Sequence, residues 1–197
     1  MLSREEFDKA AESLVIASKE DWTLVGQPKV FLYKKSSIIL PNGDEVNEAQ
    51  EEDEVNEEDE ACGKLGLSQK VLTMEHHVVY SATYCVPVLY FMGYHADGVP
   101  LSFEEVYDWV VPKCYHSNLR LAHTSVQGSL SQTDHPHLGM PAWFLHPCDT
   151  SSLMATVGAE KLQPTGYLIS WLSIMGPVLS CSVSTDLLLN SVTLKAY

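Results

Sequence analysis

Cys148 closes the segment Trp143-Phe144-Leu145-His146-Pro147-Cys148 and opens Asp149-Thr150-Ser151-Ser152. The proline before it fixes the approach of the chain, and the residues after it are all helix N-cap formers. A helix starting there would set the thiol beside free backbone N–H groups at the positive end of a macrodipole. Both effects would lower the thiol pKa and raise the thiolate fraction. Such a thiolate suits a nucleophile that receives an acyl group and later releases it. Spacing alone also fits a buried cysteine acting as a small hydrophobe. Two rival chemistries use the same neighbourhood. A papain-like hydrolase would pair Cys148 with His123, His135, His137 or His146, although no Gly-Ser-Cys signature is present. A zinc site would take His135 and His137 from His135-Pro136-His137 and His146 and Cys148 from His146-Pro147-Cys148. The proline inside each unit restricts how both of its side chains could face one ion.

The chain around these residues reads as one domain spanning residues 1–197, long enough for a real core. Its net charge of −14 is concentrated in one place, because eleven acidic residues and no basic one lie between Asp44 and Glu60. Outside that run, 15 acidic residues face 12 basic ones. No basic patch or stripe exists to release counterions from phosphates, which argues against a nucleic-acid partner. The five cysteines include no CxxC pair, unlike a dense secreted disulfide scaffold. The acidic, polar start Met1-Leu2-Ser3-Arg4-Glu5-Glu6 does not read as a signal or transit peptide. The most apolar stretch, Tyr167 to Leu179, is shorter than the roughly 18 residues a membrane span needs, and reads as a buried helix. A cytoplasmic protein with reduced thiols and no stable membrane insertion is expected.

The elements that must position Cys148 are legible in outline. Ser3-Arg4-Glu5-Glu6 is a capping box, followed by Phe7, Ala10, Ala11, Leu14 and Val15 at helical spacing. Val30 to Tyr33 and Ile38 to Leu40 read as strand, ended by the turn Pro41-Asn42-Gly43-Asp44. The acidic segment at about 42–64 holds too little apolar surface to offset its ordering entropy, and is expected to be a disordered insertion. His77 to Tyr84 and Pro87 to Met92 are β-rich, with a bend or bulge at Cys85-Val86-Pro87. Ser102-Phe103-Glu104-Glu105 opens a short helix that Pro112 stops. Residues 114–141 are weakly patterned. A brief strand from Ala142 to Leu145 leads into Cys148, and a second long helix is predicted from about Thr165 to Met175. Helix, antiparallel strands, then helices predict an α+β fold with one meandering sheet flanked by helices.

The stretch from Asp134 to Thr150 resembles the active-site segment of the ubiquitin-like-conjugating enzymes of autophagy. Tyr80 to Phe91 resembles that family's central strands, Asp97 to Leu101 its following turn, and Tyr167 to Val178 its last helix. The likeness covers roughly residues 76 to 180; residues 1–70 match only in outline. It implies a ubiquitin-conjugating-enzyme-like fold, with Cys148 as the thioester cysteine and His146 and Pro147 as its motif companions. Ubiquitin-conjugating enzymes carry a His-Pro-Asn before the cysteine; here the cysteine occupies the asparagine's place, so the oxyanion donors must lie elsewhere. Tyr80, Tyr84, Asn118 and Asp134 are polar candidates for a supporting shell.

The resemblance further implies two acyl transfers without cofactor or metal. Cys148 accepts a ubiquitin-like modifier, autophagy-related protein twelve, from its activating enzyme. A lysine of the target, autophagy-related protein five, then takes it in an isopeptide bond. His146 either helps deprotonate that lysine or fixes the turn through a ring hydrogen bond; a residue two before the nucleophile on extended chain favours the second. A catalytically dead binding module on the same scaffold is the reading from a different class.

Overall fold

The structure is a computed structural model describing residues 1–19, 21–27, 29–40, 70–120, 130–184 and 187, with the side chains of Asn118, Arg120 and Glu160 excepted. The acidic segment at 42–64 and His123 lie outside the described residues. Helix α1 spans Arg4–Ala17 and starts on the expected capping box: Glu6 N–H donates to Ser3 Oγ at 3.2 Å and Ser3 N–H to Glu6 Oε2 at 2.7 Å. Its Phe7, Ala10, Ala11 and Leu14 are buried. Strands β1 (Thr23–Val25), β2 (Phe31–Ile39), β3 (Val71–Ser81), β4 (Val86–Tyr94), β5 (Leu130–Asp134) and β6 (Pro141–Leu145) form a six-stranded sheet. The order is β1-β2-β3-β4-β6-β5, antiparallel throughout. The α+β architecture with an antiparallel sheet expected from the sequence is found, with β1 to β4 a meander and the β5–β6 hairpin joined to β4 through β6.

Several elements differ from expectation. The two pieces predicted around Lys34-Lys35-Ser36-Ser37 are one strand, β2, because its polar centre lies second from the sheet edge and is half-buried or exposed. Strand β3 begins at Val71, six residues before the apolar run, and ends at Ser81. The bend at Cys85 is a hairpin turn, with Cys85 at φ 54°, a left-handed conformation uncommon for a side chain with a Cβ. Pro87 is tolerated inside β4 because β6 pairs with β4 at Tyr90 and Phe91, beyond the proline. Two elements inside the weakly patterned region were not foreseen: helix α3 (Lys113–Arg120) and strand β5. The helix capped by Ser102 runs as α2 (Phe103–Glu105) and then widens into a π-turn over Val106–Val110.

Helices α1 and α5 (Pro164–Met175) pack against each other and cover one face of the sheet. Leu32, Leu72, Met74, Val78, Leu89, Phe91 and Leu145 meet Phe7, Leu14, Trp171 and Leu172 there in one core. A Cβ at Gly176, just after α5, would collide with the Cys181 backbone carbonyl, so the chain reverses there only on glycine. The opposite sheet face carries Phe31, Tyr33, His77 and Tyr90, onto which the β5–β6 turn folds His135 and His137. Among the described residues no helix is long and apolar enough to cross a membrane.

Candidate active site

Strand β6 delivers the chain to the site. Beyond Leu145, His146 stays extended at φ −65°, ψ 130°, and Pro147 starts a single 3-10 turn over Pro147–Asp149. Proline suits that position because its fixed φ fits the turn and its missing N–H leaves no donor unpaired. Helix α4 (Thr150–Thr156) follows directly. Pro147 and Thr150 are buried and the turn packs against β4, so it is pinned on both sides while Cys148 between them is exposed.

His146 is bound to this turn. Its Nδ1 accepts the backbone N–H of Cys148 at 3.3 Å, which makes it a side-chain cap of the turn and leaves the ring hydrogen on Nε2. Its ring meets Tyr84, from the β3–β4 hairpin turn, edge-on at 5.6 Å, and Phe144 at 6.1 Å. Of the polar candidates, Tyr84 is therefore beside the motif. Tyr80 is not: its hydroxyl donates to the Leu2 carbonyl at 2.9 Å and its ring packs on Phe7. Asp134 pairs with Pro141 while Leu130 pairs with Leu145, which puts Asp134 at the far end of the hairpin from His146. The Asn118 side chain lies outside the described ones.

The thiol does not behave as the sequence suggested. Its pKa is raised, first by partial desolvation in the turn, then by a hydrogen bond and the negative charge of Asp149. Cys148 Sγ donates to Asp149 Oδ2 at 3.3 Å. The N–H groups of Asp149 and Cys148 act in the opposite direction but more weakly. The expectation of a lowered pKa assumed a helix beginning in the N-cap cluster Asp149-Thr150-Ser151-Ser152. That helix is present as α4, but Asp149 in its N-cap position makes no side-chain cap bond and faces the thiol instead. A carboxylate next to the cysteine was visible in the sequence, but composition cannot tell whether it caps the helix or faces the thiol.

The rival chemistries find no shared centre. His135 and His137 follow β5 at the Asp134 end of the hairpin, roughly four residues of strand or about 13 Å from Leu145. His135 is buried with both ring nitrogens engaged. Its Nδ1 accepts the N–H groups of His137 and Leu138 at 3.3 and 3.2 Å, and its Nε2 therefore donates to His77 Nδ1 at 3.0 Å. Burial pushes His135 down to about 4 and His77 to about 3, so both rings are neutral at physiological pH. His137 stacks on Phe31, ring to ring at 5.3 Å. Among the described residues no group of three or more His, Cys, Asp or Glu side chains is placed to hold a metal ion. The thiol's hydrogen bond runs to a carboxylate rather than to an imidazole.

Fold and site together define an α+β domain that presents an exposed thiol in a His-Pro-Cys turn at the end of a sheet strand. Residues 6–186 match the family described as autophagocytosis associated protein, active-site domain, and the chain belongs to that family. It is 36% identical over 126 residues to the human ubiquitin-like-conjugating enzyme ATG10, an alignment covering 61% of this chain and 54% of that one. The Dictyostelium discoideum enzyme of the same name is 33% identical, over 61% of this chain and 56% of its own. The Arabidopsis thaliana enzyme is 30% identical, over 89% of this chain and 79% of its own. The chain thus spans about half the length of the first two relatives. A solved structure described as autophagic E2, Atg10 superposes with a TM-score of 0.43 at 17% identity, covering 89% of this chain and 94% of that one.

Proposed function

We propose that this chain is a conjugating enzyme of the autophagy ubiquitin-like system, carrying its modifier as a thioester on Cys148. The observation that carries the reading is the exposed thiol of Cys148, held by a His-Pro-Cys turn whose neighbours are buried. The relatives' names support the reaction class, and the likeness of Asp134 to Thr150 to the family's active-site segment supports the finer assignment. In that assignment the modifier is autophagy-related protein twelve. It is received from the system's activating enzyme and delivered to a lysine of autophagy-related protein five in the cytoplasm.

The proposed reaction is two acyl transfers. Cys148 Sγ gives up its proton and attacks the carbonyl carbon of the modifier's C-terminal glycine, expelling the activating enzyme's thiolate. A neutral lysine Nζ then attacks the new thioester; the C–N bond forms, the C–S bond breaks and Cys148 is released. A thioester is labile to amines, so placing the lysine beside the carbonyl carbon supplies most of the rate. His146 acts as a positioning residue in this scheme, because its Nδ1 is occupied by the Cys148 N–H.

The test uses purified protein with activating enzyme, ATP and modifier. The wild type is expected to form an adduct lost on reduction. Cys148→Ser is expected to accumulate a reduction-resistant oxyester, because an alkoxide is a poorer leaving group than a thiolate. A reducible adduct persisting in Cys148→Ala would refute the assignment.

A further inference from the structure

Asp149 stands where a helix cap belongs and does not cap. It occupies the N-cap position of α4, is of a residue type strongly preferred there, and makes no side-chain bond to the helix. Its Oδ2 instead accepts the thiol hydrogen of Cys148 at 3.3 Å, at the exposed surface of the turn. The other basic side-chain atom of the turn, His146 Nδ1, is taken by the Cys148 N–H. The thiol therefore has one side-chain acceptor among the described residues, and it is Asp149.

We propose that the Asp149 carboxylate is a catalytic group, the proton acceptor for the Cys148 thiol in the first acyl transfer and for the attacking lysine in the second. The inference rests on the thioester reading above. In the first step the Sγ–H proton passes to Oδ2 as Sγ forms its bond to the glycine carbonyl carbon. The activating enzyme's cysteine leaves as thiolate, and the proton on Oδ2 passes to solvent or to that thiolate. Acylation removes the thiol hydrogen, so the carboxylate then faces the thioester without its former donor. The lysine attacks as a neutral amine, and the adduct nitrogen carries an extra proton. Oδ2 takes that proton, the C–S bond breaks, and Sγ leaves as thiolate and recovers the proton from Oδ2. The cycle ends with the hydrogen bond it began with, and no electron is gained or lost.

Two features support this assignment. Partial desolvation, and after it the hydrogen bond and charge of Asp149, hold the thiol pKa above its usual value, so at rest Cys148 is protonated and shielded from adventitious electrophiles. Among the described residues, the titratable groups seen in contact at the turn besides the thiol are Asp149 and His146 within it and Tyr84 on the His146 ring. A negative carboxylate beside the thioester also attracts a lysine ammonium towards the reacting carbon before it loses its proton.

Two measurements on Asp149→Asn test the proposal, with Asp149→Glu as rescue. The first follows iodoacetamide alkylation at Cys148 against pH, read by mass spectrometry of the Cys148 peptide. The Asp149→Asn profile is expected to move to lower pH, with faster alkylation near neutrality. The second forms the thioester, quenches the activating enzyme, and times discharge onto free lysine in a single turnover. Discharge is expected to slow about tenfold or more in Asp149→Asn and to recover in part in Asp149→Glu. The opposed signs matter, because a carboxylate that merely suppressed the thiolate would leave discharge unchanged. A wild-type thioester whose discharge is the same in Asp149→Asn overturns this proposal alone. Absence of any wild-type thioester overturns the parent reading and this one with it, and an unmoved alkylation profile refutes the thiol–carboxylate contact itself.

Discussion

Replacing His76 with phenylalanine separates a packing role from a titration. His76 lies on the core face of β3 with no exposed surface. Its Nε2 donates to the Leu179 carbonyl at 2.9 Å, and its Nδ1 is buried with no hydrogen-bond partner. Burial pushes the ring down to about 4 from its usual 6.5, with nearby Lys34 adding to the shift and the bond to Leu179 opposing it. Between those values the unfolded chain binds a proton that the folded chain refuses. Stability is therefore full above about pH 6.5 and is lost as pH falls towards 4. Integrated from pH 7 to 4.5, that one ring removes about 2 kcal/mol. His76→Phe keeps the ring but cannot titrate, and it leaves the Leu179 carbonyl unpaired. It is expected to cost about 1–3 kcal/mol at pH 7. Urea unfolding of both proteins between pH 7 and 4.5 should give curves that converge on acidification and lie close together near the acid end. His77 and His135 also lose stability on acidification, but they contribute to both curves, so the difference isolates His76. Curves that stay parallel would refute the argument, because they would mean that His76 titrates alike in the folded and unfolded chains.

Three further outcomes are expected. Trp171→Ala, emptying a side-chain site 1% exposed between α5 and the sheet, should cost about 3–5 kcal/mol in chemical denaturation, whereas Ile16→Ser at 82% exposure should change stability by less than about 0.5 kcal/mol. Gly93→Ala should lower the melting temperature and cost about 1–3 kcal/mol, because the added Cβ would sit 2.6 Å from Leu101 Cδ1 and 3.1 Å from Met74 Sδ, and both buried side chains would have to shift to admit it. Because both nitrogens of His135 are spent in hydrogen bonds, strong chelation should leave the thermal transition unchanged; unfolding on chelation, with near one zinc per chain by elemental analysis, would overturn the structural account of that turn.

The sequence by itself determined whatever depends on neighbours along the chain. Both capping boxes, at Ser3 and Ser102, act through residues three apart, and each is formed as read. The last helix was legible because its apolar residues repeat at helical spacing without help from the rest of the fold. The motif around Cys148 was equally local, since proline and the residues flanking it set the turn. Tertiary structure decided what depends on distant partners. Strand β5 carries Leu130 as its buried residue and is otherwise half-buried or exposed, so its sequence lacks a core pattern and its pairing with β6 defines it. His135 read as a candidate base or zinc ligand, and His76 and His77 carried no assigned role in the sequence. Folding buries all three, pairs His76 Nε2 with a carbonyl and His77 Nδ1 with His135 Nε2, and leaves His76 Nδ1 and His77 Nε2 buried without a hydrogen-bond partner. The reactivity of Cys148 was misjudged for the same reason. Residue types place a carboxylate beside the thiol, but the direction in which Asp149 turns, towards the thiol or towards the helix, is set by the turn that Pro147 and Thr150 anchor in the core.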